Sequence, residues 1–409
     1  MRFLPALLLS SFLCSAVAQP SLQPVEIHKD FEGASIGKIE AQGESELRLY
    51  VEGQQNAFGR NRQTTWYYFR LDHVKQKPLT LCLTDFIGEY NGKPASGSLA
   101  NLPPYFSYDG ELWEQFQLFE WNDTLKEGTL RFTPEKDSVY IAHIPPYTHS
   151  KFLHLLSDLS HNPNLLPEVI GKSVQGRDLY QFTVTDSTEP DVAKKCVWLQ
   201  ARQHAWEAGS SWVMEGALRF ITSDDPVASE LRKKVLFKFT PMVDPDGCAN
   251  GKVRFNSHGY DVNRHWHEVD LRTKAILEKY PEIWYTKKAI AAAQSSANPI
   301  DLMVNIHNTE TAEYLDSNID DEAANVPLIR LFKRLKADSL FDPSRPPMFG
   351  GDPLGTANHL WLSHKVPVAL MELRIGPSAK LQGRCPTTED RLKFGAELIR
   401  QMGEVVLEK

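Results

Sequence analysis

The spacing of apolar residues changes near residue 150, and this change limits the possible folds more than any other feature of the 409-residue chain. Before it, apolar and polar residues alternate over short segments separated by glycine, proline, asparagine and aspartate, as in strands joined by turns. The strands predicted in this part are 46–51, 66–71, 79–83, 116–121, 129–133 and 139–144. Their number and spacing predict an antiparallel β-sandwich domain over residues 19–150.

Beyond Pro145-Pro146 the pattern alternates between strand-like and helix-like segments, which is typical of a mostly parallel sheet covered by helices. The predicted strands are 179–184, 196–201, 235–241, 302–306 and 366–373, and the predicted helices are 206–221, 271–295, 326–339 and 388–407. A helix-like pattern also starts at residue 151. We therefore expect an α/β protein in which a mostly parallel-sheet α/β domain, residues 151–409, follows the β-sandwich.

The first 18 residues have the features of a signal peptide. Arg2 precedes an apolar run at 3–13, and Ala16-Val17-Ala18 offers small residues at the cleavage site. No later segment is long and apolar enough to span a bilayer. The sequence thus predicts a secreted or periplasmic protein that has no membrane insertion after removal of residues 1–18.

Charge and cysteine content exclude some classes of partner and site. The formal net charge is −7 and no basic block stands out, so nucleic acid is not an expected partner. Four cysteines follow the signal peptide without a Cys-x-x-Cys motif, which argues against a cysteine-built metal site. Export permits disulfides, but the sequence leaves the pairing open among Cys82, Cys196, Cys248 and Cys385.

Polar side chains follow several of the predicted strands at the end where an open α/β sheet binds its ligands. The strand 196–201 leads to His204 and Glu207, and the strand 302–306 ends at His307. A spacing of three would place His204 and Glu207 on one face of a helical first turn. Two histidines and one glutamate are a ligand set of hydrolytic zinc sites.

The segment 241–266 carries further motifs. It contains Asp-Pro-Asp-Gly at 244–247, Arg254, and Gly-Tyr-Asp-Val-Asn-Arg-His-Trp at 259–266. This pattern resembles the zinc metallocarboxypeptidases, which have Asn-Pro-Asp-Gly, an arginine, and Gly-x-Asp-Leu-Asn-Arg-x-Trp. His-x-x-Glu at 204–207, His307, and Met-Glu-Leu-Arg at 371–374 lie around the segment in the family's order with comparable spacing.

The first domain extends the resemblance. Residues 66–70, 104–110 and 145–148 are similar to the β-domain that precedes the catalytic domain in the cytosolic carboxypeptidase subfamily. The chain therefore resembles a secreted bacterial relative of that subfamily. The resemblance implies that residues 151–409 form a zinc carboxypeptidase domain.

The resemblance also implies a role for each matching residue. His204, Glu207 and His307 would bind one zinc ion, and Glu372 would act as general base. Arg254 would polarise the scissile carbonyl and stabilise the oxyanion, while Asn263 and Arg264 would hold the terminal carboxylate of the substrate. A guanidinium matches a carboxylate with two hydrogen bonds, so this set suits removal of residues from peptide or protein C-termini.

Arg374 lies two residues beyond Glu372 on the same predicted strand, so both side chains should point to one face. It could select acidic C-terminal residues, or it could only pair with Glu372 or a neighbouring carboxylate. The chain departs from the family pattern at three points. Asp244 replaces the first asparagine of Asn-Pro-Asp-Gly, and Val262 replaces the leucine of Gly-x-Asp-Leu-Asn-Arg-x-Trp. The family's tyrosine lid has no counterpart, because no tyrosine follows Tyr314. The missing tyrosine leaves the capping of the substrate open.

Two other functions fit these residues. A related zinc amidase or acylase would act on small acylated amino acids or cell-wall peptides, which also bear carboxylates. A catalytically silent peptide-binding protein is the second alternative, and the retained Glu372 argues against it. The role of the β-domain and the oligomeric state are open at this stage.

Overall fold

The computed structural model describes residues 23–96, 101–190, 194–317, 319–349 and 355–408. The predicted signal peptide lies outside these residues. Among the helices within them, none has the length and apolar content that a membrane span requires. Cys82, Cys196, Cys248 and Cys385 are free thiols in the described part of the chain.

Within the described residues, fourteen strands precede the first helix. They are β1 Glu26–His28, β2 Ile39–Ala41, β3 Glu46–Tyr50, β4 Gln54–Gln55, β5 Asn61–Gln63, β6 Tyr68–Asp72, β7 Leu79–Thr84, β8 Ile87–Tyr90, β9 Lys93–Ser96, β10 Tyr105–Ser107, β11 Glu114–Gln115, β12 Glu120–Asn122, β13 Glu127–Phe132 and β14 Val139–Ala142.

Two five-stranded sheets, β1-β6-β14-β10-β11 and β12-β13-β7-β3-β2, form the β-sandwich. Alternate side chains of both sheets, among them Leu49, Phe69, Leu81 and Ile141, are fully buried between them. The strand pairs of the sandwich are antiparallel except β3 with β7, which is parallel. A parallel pair needs a long connection, and the segment containing β4–β6 provides it. The antiparallel sandwich domain is confirmed.

A smaller sheet, β4-β5-β8-β9, projects from the sandwich. The turn between β4 and β5 reaches the second part of the chain, where the amide of Ala57 donates to the carbonyl of Gly259 at 2.9 Å. Gly259 has φ of +82°, and a Cβ there would lie 2.6 Å from the Ala57 nitrogen. Only glycine permits this close approach of the two backbones.

The second part alternates helices and strands. Its elements are α1 His149–Leu159, β15 Leu165–Lys172, β16 Asp178–Val184, β17 Lys195–Ala201, α2 Ala208–Thr222, α3 Pro226–Lys234, β18 Val235–Thr240, α4 Pro245–Ala249, α5 Pro281–Gln294, β19 Leu302–Thr309, β20 Tyr314–Ser317, α6 Glu322–Asp338, α7 Thr356–His364, β21 Val368–Arg374 and α8 Thr388–Leu407. Short 3-10 turns occupy Trp266–Glu268, Ala275–Glu278 and Ala379–Leu381.

The strands of this part form one mixed sheet in the order β15-β16-β18-β17-β19-β21-β20. The central strands β18, β17, β19 and β21 are parallel to their neighbours within this group, and the flanking strands pair antiparallel. Both faces of β17 are buried: Val197 and Leu199 pack toward one core, and Cys196 and Trp198 toward the other. This two-sided burial explains the continuous apolar run of the strand.

Several local predictions are wrong. The predicted helix 271–295 is a 3-10 turn followed by α5, because Pro281 starts a new helix and cannot continue an old one. His204 and Glu207 precede α2 and do not lie in its first turn. The predicted strand 116–121 is reduced to β12, and β15, α3, β20 and α7 are not among the predicted elements.

Candidate active site

Two neighbouring strands bring the predicted metal ligands together. His204 and Glu207 lie in the turn that joins the end of β17 to α2, and His307 lies within β19, which pairs with β17. The side chains are enclosed: the residues are 2%, 2% and 0% exposed. Because β19 continues to Thr309, the imidazole of His307 is held by the sheet itself and not by a loop beyond it.

The ligand atoms face a common point. His204 Nδ1 lies 2.7 Å from Glu207 Oε1, and His307 Nδ1 lies 2.9 Å from Glu207 Oε2. One ligand atom from each residue lies within 4.8 Å of the other two. Apart from this mutual contact, Glu207 Oε2 and His307 Nδ1 are buried with no hydrogen-bond partner among the described residues, although buried polar atoms normally have partners. Two imidazoles and a carboxylate with unsatisfied inward atoms fit a zinc ion.

The Nε2 atoms of both imidazoles, on the far side of the rings from Glu207, are hydrogen-bonded to other side chains. His204 Nε2 lies 3.1 Å from Asp261 Oδ1, and His307 Nε2 lies 3.1 Å from Gln203 Oε1. The Gln203 amide is itself fixed, since its nitrogen donates to the carbonyl of Val262. With hydrogen on Nε2, each ring donates to an oxygen and keeps the Nδ1 lone pair toward Glu207, the orientation that such hydrogen bonds give to metal-binding histidines.

Asp261 links this ligand to Arg254. Its Oδ2 accepts a 2.7 Å hydrogen bond from Arg254 Nε, while its Oδ1 faces His204. Burial favours the neutral acid, but the cationic Arg254 and the hydrogen bond with His204 outweigh it and hold the pKa of Asp261 well below its usual range. Asp261 is therefore a carboxylate that orients two functional groups at once.

Glu372 lies beside His307, because the two residues are register partners in the parallel pair β19–β21. Its Oε2 is buried and has no hydrogen-bond partner within the described part of the chain. Burial and the nearby Glu207 carboxylate raise the pKa of Glu372 well above its ordinary value. A side chain in this position can accept or release a proton next to the three ligands.

These groups open into a cavity of about 590 Å³. Arg254, Asn263 and Arg264 line it together with Glu372, and Gln63 and Thr65 of the β-domain contribute to its wall. The Asn263 side-chain oxygen accepts hydrogen bonds from the hydroxyl and amide of Thr356, which leaves its amide nitrogen as the donor for a bound group. The predicted substrate-binding pair thus shares one space with the predicted catalytic residues.

Arg374 lies on β21 but turns away from this cavity. Its guanidinium donates to the carbonyl of Asp342 at 2.7 Å and to that of Pro377 at 3.2 Å. No bond from it to Glu372 is present among the described residues, and it is absent from the described cavity lining. The alternation of side chains along β21 would place Arg374 on the same face as Glu372. The backbone carbonyls of Asp342 and Pro377 instead hold its guanidinium outside the cavity.

A tyrosine does lie beside Glu372. Tyr314 of β20 is the register partner of Glu372 and lines the cavity. The guanidinium of Arg345 stacks 4.3 Å from its ring centre and also pairs with both oxygens of Asp316. The position of Tyr314 could not be anticipated, because it depends on the antiparallel return of β20 onto β21.

Other functional residues were missed at the sequence level. Asp261 stands inside the matched motif, so its role could have been considered, and Gln203 is adjacent to His204. No sequence motif marks Gln63 and Thr65 as site residues. They belong to another domain and precede the ligand turn, the turn between β17 and α2 that carries His204 and Glu207, by about 140 residues.

The geometry and the relatives of the chain define the same class. Residues 153–334 match the zinc carboxypeptidase family, and residues 27–144 match the cytosolic carboxypeptidase N-terminal domain. The chain is thus a metallocarboxypeptidase, a hydrolase of peptide bonds. It belongs to the zinc carboxypeptidases and carries the N-terminal domain of the cytosolic carboxypeptidases in front of its catalytic domain.

Individual relatives support this assignment. An uncharacterized protein of Zymomonas mobilis is 26% identical over 342 residues, which are 82% of each chain. Human cytosolic carboxypeptidase 2 is 29% identical over 259 residues, which span 56% of this chain but only 27% of the human protein. The crystal structure of a metallo-carboxypeptidase from Burkholderia cenocepacia shares the fold, with a TM-score of 0.79 and 23% identity over 94% of this chain and 99% of that one.

Proposed function

We propose that this protein is an exported carboxypeptidase that holds one zinc ion through His204, Glu207 and His307 and shortens peptides or proteins from their C-termini. The observation that carries the proposal is the convergence of three ligand side chains, Glu372 and two arginines on one cavity. Structural sites close the fourth position of zinc with protein, whereas three protein ligands beside an open cavity are typical of catalytic sites.

Each side chain has a distinct task in peptide hydrolysis. Zinc, when bound, polarises the scissile carbonyl and lowers the pKa of a water molecule to about 7. Glu372 takes the proton of the attacking water and later gives it to the leaving amine, which balances the proton over the reaction. Arg254 donates to the carbonyl oxygen as negative charge develops there, and Asp261 keeps its guanidinium oriented.

Recognition of the chain end belongs to Asn263 and Arg264. A guanidinium and an amide nitrogen together can donate to both oxygens of a terminal carboxylate. A peptide without that charge would lose the charge-assisted bonds while the rest of the cavity stayed the same. The proposed enzyme therefore requires a free C-terminus.

The test is mass spectrometry of a peptide library incubated with the zinc-loaded protein. We expect products that lack C-terminal residues, and a loss in kcat/KM of about 10- to 100-fold for peptides with an amidated C-terminus, as for other charged hydrogen bonds. Internal cleavage, or equal rates for acid and amide peptides, would contradict an exopeptidase. Cleavage of small acylated amino acids alone would identify an amidase or acylase, and binding without turnover would identify a silent receptor.

Export is the second part of the proposal. Arg2, the apolar run at 3–13 and Ala16-Val17-Ala18 support it. N-terminal sequencing of the protein from the periplasm or medium of an expressing bacterium should begin at Gln19. Full-length protein that stays in the cytoplasm would contradict export without affecting the catalytic assignment.

A further inference from the structure

Besides Gln63 and Thr65 in the cavity wall, the β-domain contacts the segment that carries Arg254 through the side chain of Gln54. Its Oε1 accepts hydrogen bonds from three successive backbone amides, those of Val253 at 3.0 Å, Arg254 at 2.7 Å and Phe255 at 2.9 Å. Its Nε2 donates to the carbonyl of Phe255 at 2.6 Å. A half-buried glutamine of β4 thus binds the backbone of the segment that carries Arg254.

Three amides that converge on one oxygen form a concave site with a positive potential. No helix or strand of the catalytic domain includes residues 253–255, so these donors depend on Gln54 for their partner. Loss of the partner of a buried amide costs about 1–3 kcal/mol, which is enough to make such a segment adopt other conformations. Gln54 therefore fixes the local backbone at Arg254.

The same segment supports the metal-ligand turn. The carbonyl of Val253 accepts a 2.9 Å hydrogen bond from the amide of Trp206, which lies between the predicted ligands His204 and Glu207. A continuous set of hydrogen bonds leads from Gln54 through Val253 to this turn, and Arg254 is also held by Asp261. The β-domain is thereby connected to both the oxyanion arginine and the ligand turn.

Close backbone contacts keep the two domains in this register. Gly251 has φ of +60°, and a Cβ there would lie 2.1 Å from the carbonyl oxygen of Ala34. On the other side of Arg254, Gly259 contacts the β4–β5 turn at Ala57. Both glycines allow the β-domain to lie directly against the segment, so Gln54 reaches it without an intervening layer.

We propose that the N-terminal β-domain is a working part of the active site and that Gln54 is a positioning residue, which places Arg254 for the transition state. The inference rests on the proposed role of Arg254. A positioning residue acts on the chemical step more than on ground-state binding, and a displacement of about 1 Å at a reacting group can cost about 10²-fold in rate.

The experiment compares three variants of the full-length zinc-loaded protein. Gln54→Met keeps the length of the side chain but removes all four hydrogen bonds, and Gln54→Glu keeps the three accepted bonds. Gln117→Met makes the same change at an exposed glutamine of the same domain. We expect kcat of Gln54→Met to fall by about 10²-fold with KM and zinc content near wild type. Gln54→Glu should lose less, and the control should be unchanged.

A second measurement does not depend on catalysis. Amide hydrogen exchange of peptides covering 253–255 should be faster in Gln54→Met than in wild type and in the control. Wild-type kcat together with wild-type exchange in Gln54→Met would overturn the proposal, and so would an equal loss of kcat in the Met and Glu variants. A wild-type protein that cleaves no peptide would instead overturn the proposed function, and the exchange measurement would still decide the role of Gln54.

Discussion

The two imidazoles of the site have different electrostatic surroundings. Burial lowers the pKa of His307, whose outer nitrogen faces the neutral amide of Gln203. Burial and Arg254 act in the same direction on His204, but the carboxylates of Glu207 and Asp261 outweigh them and raise its pKa. Of the two predicted ligands, His204 is thus the more basic, and burial favours the neutral form of His307.

Removal of His307 should therefore abolish tight zinc binding. His307→Ala leaves two protein ligands where a catalytic zinc site needs three. Metal analysis after dialysis should show about one zinc per wild-type protein and much less in the variant. His154→Ala, at an exposed position of α1, is the matched control and should keep wild-type zinc. Unchanged tight binding in His307→Ala would exclude this residue as a ligand.

Glu372 should matter for turnover and not for metal binding. The Glu372→Gln amide has nearly the same shape but cannot accept a proton from water, so kcat should fall by about 10²–10⁴-fold. Zinc content and KM should stay near wild type. Glu168→Gln, at an exposed position of β15, makes the same change without contact to the site and should retain full activity. Comparable kcat in both variants would assign the base to another residue.

At the scale of elements, the parallel strands were the most predictable part of the catalytic domain. β17, β18, β19 and β21 are buried on both sides, so each appears in the sequence as a run of apolar residues. The edge strand β15 is mostly exposed and lacks this signal. Strand ends also depend on partners: β19 continues past His307 because its pairing with β21 extends to Thr309 and Arg374.

The packing of α2 on α8 depends on two glycines. A Cβ at Gly216 would lie 2.0 Å from the carbonyl oxygen of Leu392, and one at Gly395 would lie 1.9 Å from that of Val213. Each helix therefore approaches the backbone of the other where it has no side chain. Neither glycine could be assigned this role from sequence, since the contact joins helices about 180 residues apart.

Gly395→Ala should destabilise the protein despite the better helix propensity of alanine. The methyl group would force the helices apart, and overpacking of this kind costs about 1–3 kcal/mol. The higher helix propensity of alanine returns about 1 kcal/mol, so the upper part of that range leaves a net loss of stability. Urea unfolding should show the loss. Gly43→Ala is the control, because its methyl group would meet only the Cβ of Glu46 at 3.8 Å. Equal stability of both variants would contradict close backbone packing.

At the scale of the whole molecule, the sequence predicted the candidate site residues but not the residues that hold them in place. The motifs contain residue types that the proposed reaction needs, in His204, Glu207, His307, Glu372 and Arg254. The side chains that orient these residues are amides and carboxylates, which occur at many positions of any chain. Only the fold shows which of them lie next to the site. The clearest case is the contact of Gln54 with Arg254, which joins residues 200 positions apart in two domains.

The domain contact also contains a buried histidine. His143 follows β14 and is 4% exposed, with its ring centre 5.6 Å from that of Tyr67 and 6.1 Å from that of Trp206. Its Nδ1 is buried without a hydrogen bond. Burial lowers the pKa of His143 to about 4, from an ordinary value of 6.5. The neutral ring is therefore part of the contact between the β-domain and the ligand turn.

This shift makes the stability of the protein depend on pH in a defined direction. The pKa of His143 is lower in the folded than in the unfolded state, so the unfolded chain binds the proton first as pH falls. The stabilisation is complete above about pH 6.5 and is lost progressively toward about pH 4. From roughly pH 8 to pH 5 the loss due to this residue is about 2 kcal/mol.

A comparison of variants isolates that loss from the other titrating groups. His143→Gln has no proton to gain, so its free energy of unfolding should fall less between pH 8 and pH 5 than that of wild type, by about 2 kcal/mol. His154→Gln should follow wild type, because this histidine is exposed. The metal ligands are common to all three proteins, and their contribution cancels in the difference. Parallel curves for wild type and His143→Gln would mean that the ring takes up its proton in the folded protein at the same pH as in the unfolded chain. Convergence at low pH would instead identify the junction of the two domains as a place where acid weakens the molecule.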